Sequence, residues 1–359
     1  MPQSRWFRIG YGIALILLII LLVHQVWFVF YPLVVLVETL FFPFLLAGVL
    51  YYLFRPLVLF LDRKRIPRTL SILALYLMAV GVFILVGVLV GPAFNDQVEQ
   101  LVQNFPSLAA KAQHKFLELE KNPWLSRYIK SNVLLTFATG YLKTSWKTIV
   151  DNVAHVIGVF ADVVVTLVTV PFILFYMLKE GEKFSRYVLR IFPEREKERV
   201  LAILSEMDTA LSSYIKGQVL VGFFVGLLVW IGFLIIGLDY SLILGLARMF
   251  TNVIPVVGPI ISTIPAFIVG WIESPAMAFK VLIVVLVVHV VEVNLISPWV
   301  MGRSLNIHPL TMVLLLLVAG SLGGFLGLLL AVPTYAVLKV IVQHTYRLVQ
   351  LKRDGDKTA

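Results

Sequence analysis

Apolar positions in this chain come in long unbroken runs, not in the alternating or one-faced patterns of a water-soluble fold. The runs lie near 11–30, 33–54, 70–91, 154–178, 218–237, 241–272, 277–296 and 311–340. A helix needs roughly 20 apolar residues to cross a hydrocarbon core of about 30 Å, and each run is about that length or more. Lipid offers no partner to exposed backbone polar groups, so runs of this kind must be helices. The pattern predicts an all-α integral membrane protein with about eight transmembrane helices, a helical extramembrane insert and a broken helix near 252–265. Helices one to three fall within 1–92, the fourth within 148–178, and the fifth to eighth within 217–345.

Two stretches interrupt this pattern. Residues 93–147 are rich in charge, and Val98, Leu101, Val102, Phe105 and Leu108 recur at steps of three and four. That is the period of an amphipathic helix, so the stretch reads as a helical insert outside the membrane. Residues 179–216 carry dense charge of both signs and read as a helical hairpin in water, with Pro193 at its turn. A polar tail, 346–359, closes the chain. At the other end Arg5 and Arg8 precede an apolar run too long for a signal-peptide core and without a small-residue cleavage site, so it is expected to remain as the first helix.

Composition agrees. Of 359 residues, 60% are hydrophobic and 14% charged, against roughly 25% charged in soluble domains. The net charge of +10 suits basic loops on the cytoplasmic side of a membrane. No basic helix or RNA-binding signature accompanies it, so no nucleic acid is expected as a partner. Lysine and arginine concentrate in the N-terminus, the 55–68 loop, the 179–216 hairpin and the tail. Eight crossings put all four on one side, which the charge rule makes cytoplasmic, with the 93–147 insert on the other; a re-entrant 241–272 would instead put the tail outside, which the same rule disfavours. The expected location is a bacterial cytoplasmic (inner) membrane, with the lipid bilayer as the first partner. Cysteine is absent, which excludes disulfides, thiolate metal sites and cysteine nucleophiles.

Chemistry concentrates in the second half. Asn252-Val-Ile-Pro255-Val-Val-Gly258-Pro259 cannot continue a regular helix, because each proline removes a donor and crowds the preceding turn. A broken helix in lipid must be buried in protein or line a wet cavity, and transporters build substrate and ion sites at such breaks. Glu292 lies near the end of an apolar run, where it reads either as a pathway carboxylate or as a residue at headgroup level. His289 shares its helix face. Arg248 reads as a partner for Glu292 across helices or as a side chain snorkelling to an interface. Asn294, Asp162 and Glu38 are further candidates. Gly222-x-x-x-Gly226, Gly320-x-x-x-Gly324 and Gly323-x-x-x-Gly327 permit close helix approach, within one subunit or in a homo-oligomer. No zinc-protease, nucleophile-elbow or phosphate-loop motif is present, so neither an enzyme nor a cofactor nor a resident metal is expected.

Several ordered motifs resemble the AI-2E transporter family, a group of bacterial permeases that includes autoinducer-2 exporters. They are Phe175-Tyr-Met-Leu-Lys-Glu-Gly181, Tyr214-Ile-Lys-Gly217-Gln218, Ile254-Pro-Val-Val-Gly-Pro259, and Asn294-Leu-Ile-Ser-Pro298 followed by Gly302, His308-Pro309-Leu310, Gly323-Gly324 and Ala331-Val-Pro333. The resemblance covers nearly the whole chain and is strongest over 170–340. It implies about eight membrane helices with a soluble insert between the third and fourth, and transport of a small molecule or exchange of a cation for protons. Arg248 departs from the small or apolar residue usual there in the family, and Thr251 from an apolar one.

The expectation is therefore a gradient-driven permease for a small polar molecule or ion. Its pathway would run past Glu292, Asn294, Asn252, Pro255, Gly258, Pro259, Arg248 and Asp162. The rival readings are a membrane scaffold acting through its extramembrane segments, and an oligomeric pore.

Overall fold

The computed structural model describes residues 27–120, 156–302 and 307–358, together with part of 10–25. Among the described residues every regular element is a helix. In chain order these are α1 (Trp27–Arg63), α2 (Arg68–Glu120), α3 (Val156–Leu189), α4 (Glu194–Ile236), α5 (Ser241–Thr251), α6 (Val257–Glu273), α7 (Pro275–Val291), a π-helical turn (Glu292–Ile296), α8 (Ser297–Met301) and α9 (Pro309–Thr358). Five stretches are long and apolar enough to cross a membrane: Tyr31–Arg63, Arg68–Asn104, Glu194–Ile236, Pro275–Met301 and Pro309–Tyr346. Much of their apolar surface is exposed, including Leu77, Phe83 and Leu89 on α2. An apolar surface that size belongs in lipid.

Helices pass through several expected boundaries. The gap between the first two apolar runs lies inside α1, which continues through Tyr31, Pro32 and Leu33. The first run lies partly outside the described residues. α2 likewise runs through Gly91 and Pro92, so the start of the insert is a direct extension of a membrane helix. A proline costs a helix one hydrogen bond but does not end it where apolar periodicity resumes beyond it, as it does at Val98, Leu101 and Val102. The insert from 121 onward lies outside the described residues.

α1, α2 and α3 share one core, with Ala47, Val58, Ile72, Leu75, Val170, Leu174 and Leu178 buried together. Charges close the end of this bundle. Arg68 donates to the Leu178 carbonyl at 2.9 Å and pairs with Glu182 at 3.0 Å. A Cβ at Gly181 would meet the Tyr51 hydroxyl at 2.8 Å, so the glycine lets α3 lie against α1. The chain then turns at Arg190–Pro193 and enters α4, whose Asp208 pairs with Arg55 at 2.6 Å.

The second bundle is built on α4. Tyr214, Gln218, Val221, Val225, Val229 and Phe233 form its buried stripe at steps of three and four. Gly226 of α4 and Gly245 of α5 face each other, and a Cβ on either would meet the other's carbonyl at 3.0–3.2 Å. The Gly222-x-x-x-Gly226 pair thus serves packing within one subunit.

The apolar segment 241–272 does not cross; it turns back. α5 ends at Thr251, and α6 starts at Val257. Both outer ends of the pair lie against the far half of α2. There the Gln97 side chain accepts from the Leu242 and Ile243 amides, and Lys115 donates to the Trp271 and Ile272 carbonyls. Eleven residues of α5 make about 17 Å and seventeen of α6 about 26 Å, both short of a hydrocarbon core of about 30 Å. Pro265 sits inside α6 without breaking it.

α9 turns back as well. Gly324 takes φ 55° and ψ −135°, outside helical space. A Cβ on Gly327 would collide with the Ala319 carbonyl, and one on Gly320 would meet Leu328 at 3.1 Å. Residues eight apart in a straight helix are about 12 Å apart, so the arms 309–323 and 325–345 must run antiparallel. The tip of the first hairpin packs on the second, with Ile254 buried against Leu316 and Ala331. His344, at the end of the returning arm, pairs with Glu206 of α4 at 2.9 Å. The tail therefore ends on the same side as the 190–206 turn. The eight-crossing reading reached the same placement by another path, since two reversals leave the parity unchanged.

The second half consequently repeats one plan in the opposite direction. α4 rises and is followed by a hairpin entering from the far end. The α7–α8 segment descends and is followed by a hairpin entering from the near end.

Candidate functional site

The break between α5 and α6 is the centre of the site. Its backbone is tightly wound. The Val257 amide donates to the Pro255 carbonyl at 2.7 Å across Val256, which takes φ 64° and ψ −53°. This is the rarer γ-turn, strained for a β-branched residue. Gly258 follows because a Cβ there would run into the Thr251 carbonyl. Pro259 has no amide to leave unsatisfied in the first turn of α6.

Three polar side chains meet at this break. Arg248, in the last turn of α5, is 2% exposed. Its guanidinium donates to Glu292 Oε2 at 3.2 Å and to Ser262 Oγ at 3.4 Å. Asn252 Nδ2 donates to the other Glu292 oxygen at 3.2 Å. The Asn252 carbonyl, freed by the end of α5, accepts from Gln218 Nε2 at 2.5 Å. One asparagine thus ties the hairpin tip to α4 through its backbone and to the α7 side through its amide. Among the described residues the buried Arg248 Nε has no hydrogen-bond partner.

Glu292 opens the π-helical turn. Pro298 cannot donate to the carbonyl four residues back, and the helix widens ahead of it. The Ser297 amide donates instead to the Glu292 carbonyl, five residues back. π turns of this kind recur at functional sites because they re-aim side chains. Here Glu292 points inward, 12% exposed, with His289 Nδ1 3.7 Å from Oε2.

These groups form the polar end of a cavity of about 1010 Å³. Tyr214 and Gln218 line it from α4, and Arg248 and Asn252 from the break. Most of the rest is apolar, with Ile260, Ile264, Phe267 and Ile268 on one wall and Leu282 and Val285 on another, and Thr263 and Ser297 are the polar exceptions beside His289 and Glu292.

The structure brings together Arg248, Asn252, Pro255, Pro259 and Glu292 around this cavity, with Gly258 allowing the bend. Asn294 stands apart: it is exposed and donates to the Val290 carbonyl at 2.8 Å. Its position two residues after Glu292 turns it to the outer surface of the helix. Asp162 lies on α3, and its side chain is outside the described residues, as is that of Glu38 on α1. Sequence reasoning missed Gln218 and Ser262 as site residues. Gln218 was visible only as part of a motif, and a lone serine in an apolar run carries no signal. Among the described residues no cluster of three or more His, Asp or Glu side chains is arranged to hold a metal.

Residues 14–347 match the family model described as "AI-2E family transporter". The chain is 42% identical over 346 residues to "Putative transport protein YueF" of Bacillus subtilis (strain 168), covering 95% of this chain and 94% of that protein. It is 32% identical over 349 residues to "Putative transport protein YrrI" of the same organism, with 96% of each covered. Identity to "Putative permease PerM" of Escherichia coli (strain K12) is 26% over 270 residues, 73% of this chain and 75% of that one.

Proposed function

Because the chain belongs to the AI-2E transporter family, we propose that it is a gradient-driven permease whose substrate or coupling-ion site is the cavity at the α5–α6 break. The observation that carries this reading is the buried Arg248–Glu292–Asn252 network at a hairpin tip. Ionisable groups in apolar surroundings are costly, and they occur where a pathway needs them. A broken helix whose tip is cross-tied to two neighbours is the arrangement from which transporters assemble such sites.

Glu292 is the coupling carboxylate in this reading. Ionised, it holds Arg248 and Asn252 and so fixes the hairpin tip. Protonated or occupied by a cation, it weakens both contacts, and the tip becomes free to move. Asn294 drops out of the pathway.

Lysine and arginine are dense at the end carrying the 55–68 loop, the 190–206 turn and the tail. The charge rule makes that end cytoplasmic, in the inner membrane of a bacterium. The mouth of the α5–α6 hairpin and the extension of α2 then face outward.

Flux in proteoliposomes under imposed sodium and proton gradients tests the proposal. Glu292→Gln is expected to abolish gradient-driven transport while the protein still folds and inserts. Normal transport by that variant overturns the role given to Glu292.

A further inference from the structure

The cavity also carries information on what it accepts. Among the described residues its one fixed positive group, Arg248, is buried and already shared between Glu292 and Ser262, yet its Nε remains without a partner. An orphaned donor on a buried guanidinium costs free energy unless something occupies it at another stage of the cycle. The other groups at this end that carry a hydrogen are also donors to an incoming ligand. They include the Asn252 and Gln218 amides and the Tyr214 hydroxyl, all of which line the cavity. The first turn of α6 reaches the same cavity through Pro259 and Ile260, and the helix dipole adds partial positive charge there. Among the described residues the carboxylate facing Arg248 is Glu292. Beyond this polar end the walls are aliphatic and aromatic, and a volume of about 1010 Å³ is far more than an inorganic ion requires.

Resting on the permease reading, we propose that the substrate is an organic anion with an apolar body, its acid group bound by Arg248 and its body lying along Ile260, Ile264 and Phe267. The anion and Glu292 compete for one guanidinium. Two negative groups cannot share it at full strength, so the anion binds best when Glu292 carries a proton. Linkage is reciprocal: the bound anion favours protonation of Glu292, and one anion travels with one proton. The charge of the occupied site then equals that of the empty one. A low-dielectric cavity therefore need not bury an extra charge during the transition.

Other titratable groups face Glu292. His289 lies on its own helix, Arg248 comes from α5, and Tyr214 lines the same cavity from α4, while α6 lines it with no titratable group. His289 is half exposed and its Nδ1 lies 3.7 Å from Glu292 Oε2, so the test must separate the two.

The experiment measures binding of three six-carbon probes to the full chain in lipid nanodiscs, with empty discs subtracted. The probes are hexanesulfonate, hexylammonium and hexanol, and the first keeps its charge across the whole pH range used. Hexanesulfonate is expected to bind the protein about ten-fold tighter at pH 5 than at pH 8, a coupling of ordinary size. Glu292→Gln is expected to bind it at pH 8 as tightly as the unaltered chain does at pH 5, and without pH dependence. His289→Gln is expected to keep the ten-fold dependence. The double variant Arg248→Gln/Glu292→Gln, which leaves no unpaired charge to disturb folding, is expected to lose the binding. Preference for hexylammonium or hexanol, or binding retained by the double variant, overturns the proposal. So does a pH dependence that disappears with His289. Failure here is distinct from failure of the permease reading. In the first case Glu292→Gln still stops gradient-driven flux but hexanesulfonate does not bind; in the second, flux survives that substitution.

Discussion

Gln97 and Lys115 stand five helical turns apart on α2, hence on one face, and they cap the two outer ends of the same hairpin. Gln97 Oε1 accepts from the first amides of α5, which has no side-chain cap of its own. Lys115 donates to the last carbonyls of α6. The orphan groups at helix ends must find partners somewhere, and here a third helix supplies both sets.

Gln97→Ala is therefore expected to destabilise the start of α5, and Lys115→Met the end of α6, each by about 1 kcal/mol, the size of a helix cap. Hydrogen exchange should quicken at 241–244 in the first variant and at 271–274 in the second. The amides of the α4 stripe, Val221 to Phe233, should be unchanged. Exchange that rises uniformly would show that the contacts hold the whole bundle and not the hairpin.

The Arg248–Glu292 pair should behave as buried ion pairs do. Glu292→Leu leaves a guanidinium that is 2% exposed without its carboxylate, and is expected to cost about 3 kcal/mol. Glu292→Gln keeps one oxygen as acceptor but turns its NH2 toward the other donor, so it should cost less than Glu292→Leu, about 2 kcal/mol. Arg248→Met combined with Glu292→Leu removes both charges and should recover most of the loss, giving a stable chain without coupled transport. Thermal unfolding in detergent measures all three. A double variant as unstable as Glu292→Leu would show that packing, not charge, decides.

Much of this site was legible in the sequence because it violates the apolar pattern. Two ionisable residues inside apolar runs are costly, and their presence points to each other. Pro255, Gly258 and Pro259 announce a break for the same reason. Direction was not legible. Hydropathy measures how apolar a segment is, not whether it passes through or returns, so 241–272 and 311–340 read as crossings. The Gly323-Gly324 pair was visible, yet a glycine that allows close packing and one that allows a left-handed turn look alike in sequence. Gln218 was hidden because a neutral amide costs little in an apolar run and so raises no alarm.

The two hairpin tips should respond to alanine very differently from the glycines beside them. At Gly324 an alanine is forced into φ 55° and ψ −135°, expected to cost about 3 kcal/mol. At Gly258 it collides with the Thr251 carbonyl. Gly323 has a helical backbone with open space at the Cβ position, so Gly323→Ala should be neutral or slightly stabilising. Expression level and thermal stability of the three variants decide. If Gly323→Ala is as damaging as Gly324→Ala, the positive-φ turn is not what positions the second hairpin.

The reversal at the α5–α6 break makes a topological prediction that the absence of cysteine renders clean. Asp239 precedes the hairpin and Glu273 ends it, and both line a cavity of about 470 Å³ beside Lys111 and Lys115 of α2. Introduced one at a time, Asp239→Cys and Glu273→Cys should both react with a membrane-impermeant maleimide from the same side of right-side-out vesicles. Arg195→Cys, in the first turn of α4 at the charged end, should react only after the vesicles are opened. A segment that crossed would put 239 and 273 on opposite sides, and one of the two labels would vanish. If 239 and 273 agree but label from the inside, re-entry stands and the assignment of the basic end to the cytoplasm falls. The hairpin and the orientation are thus tested by the same three positions and fail separately.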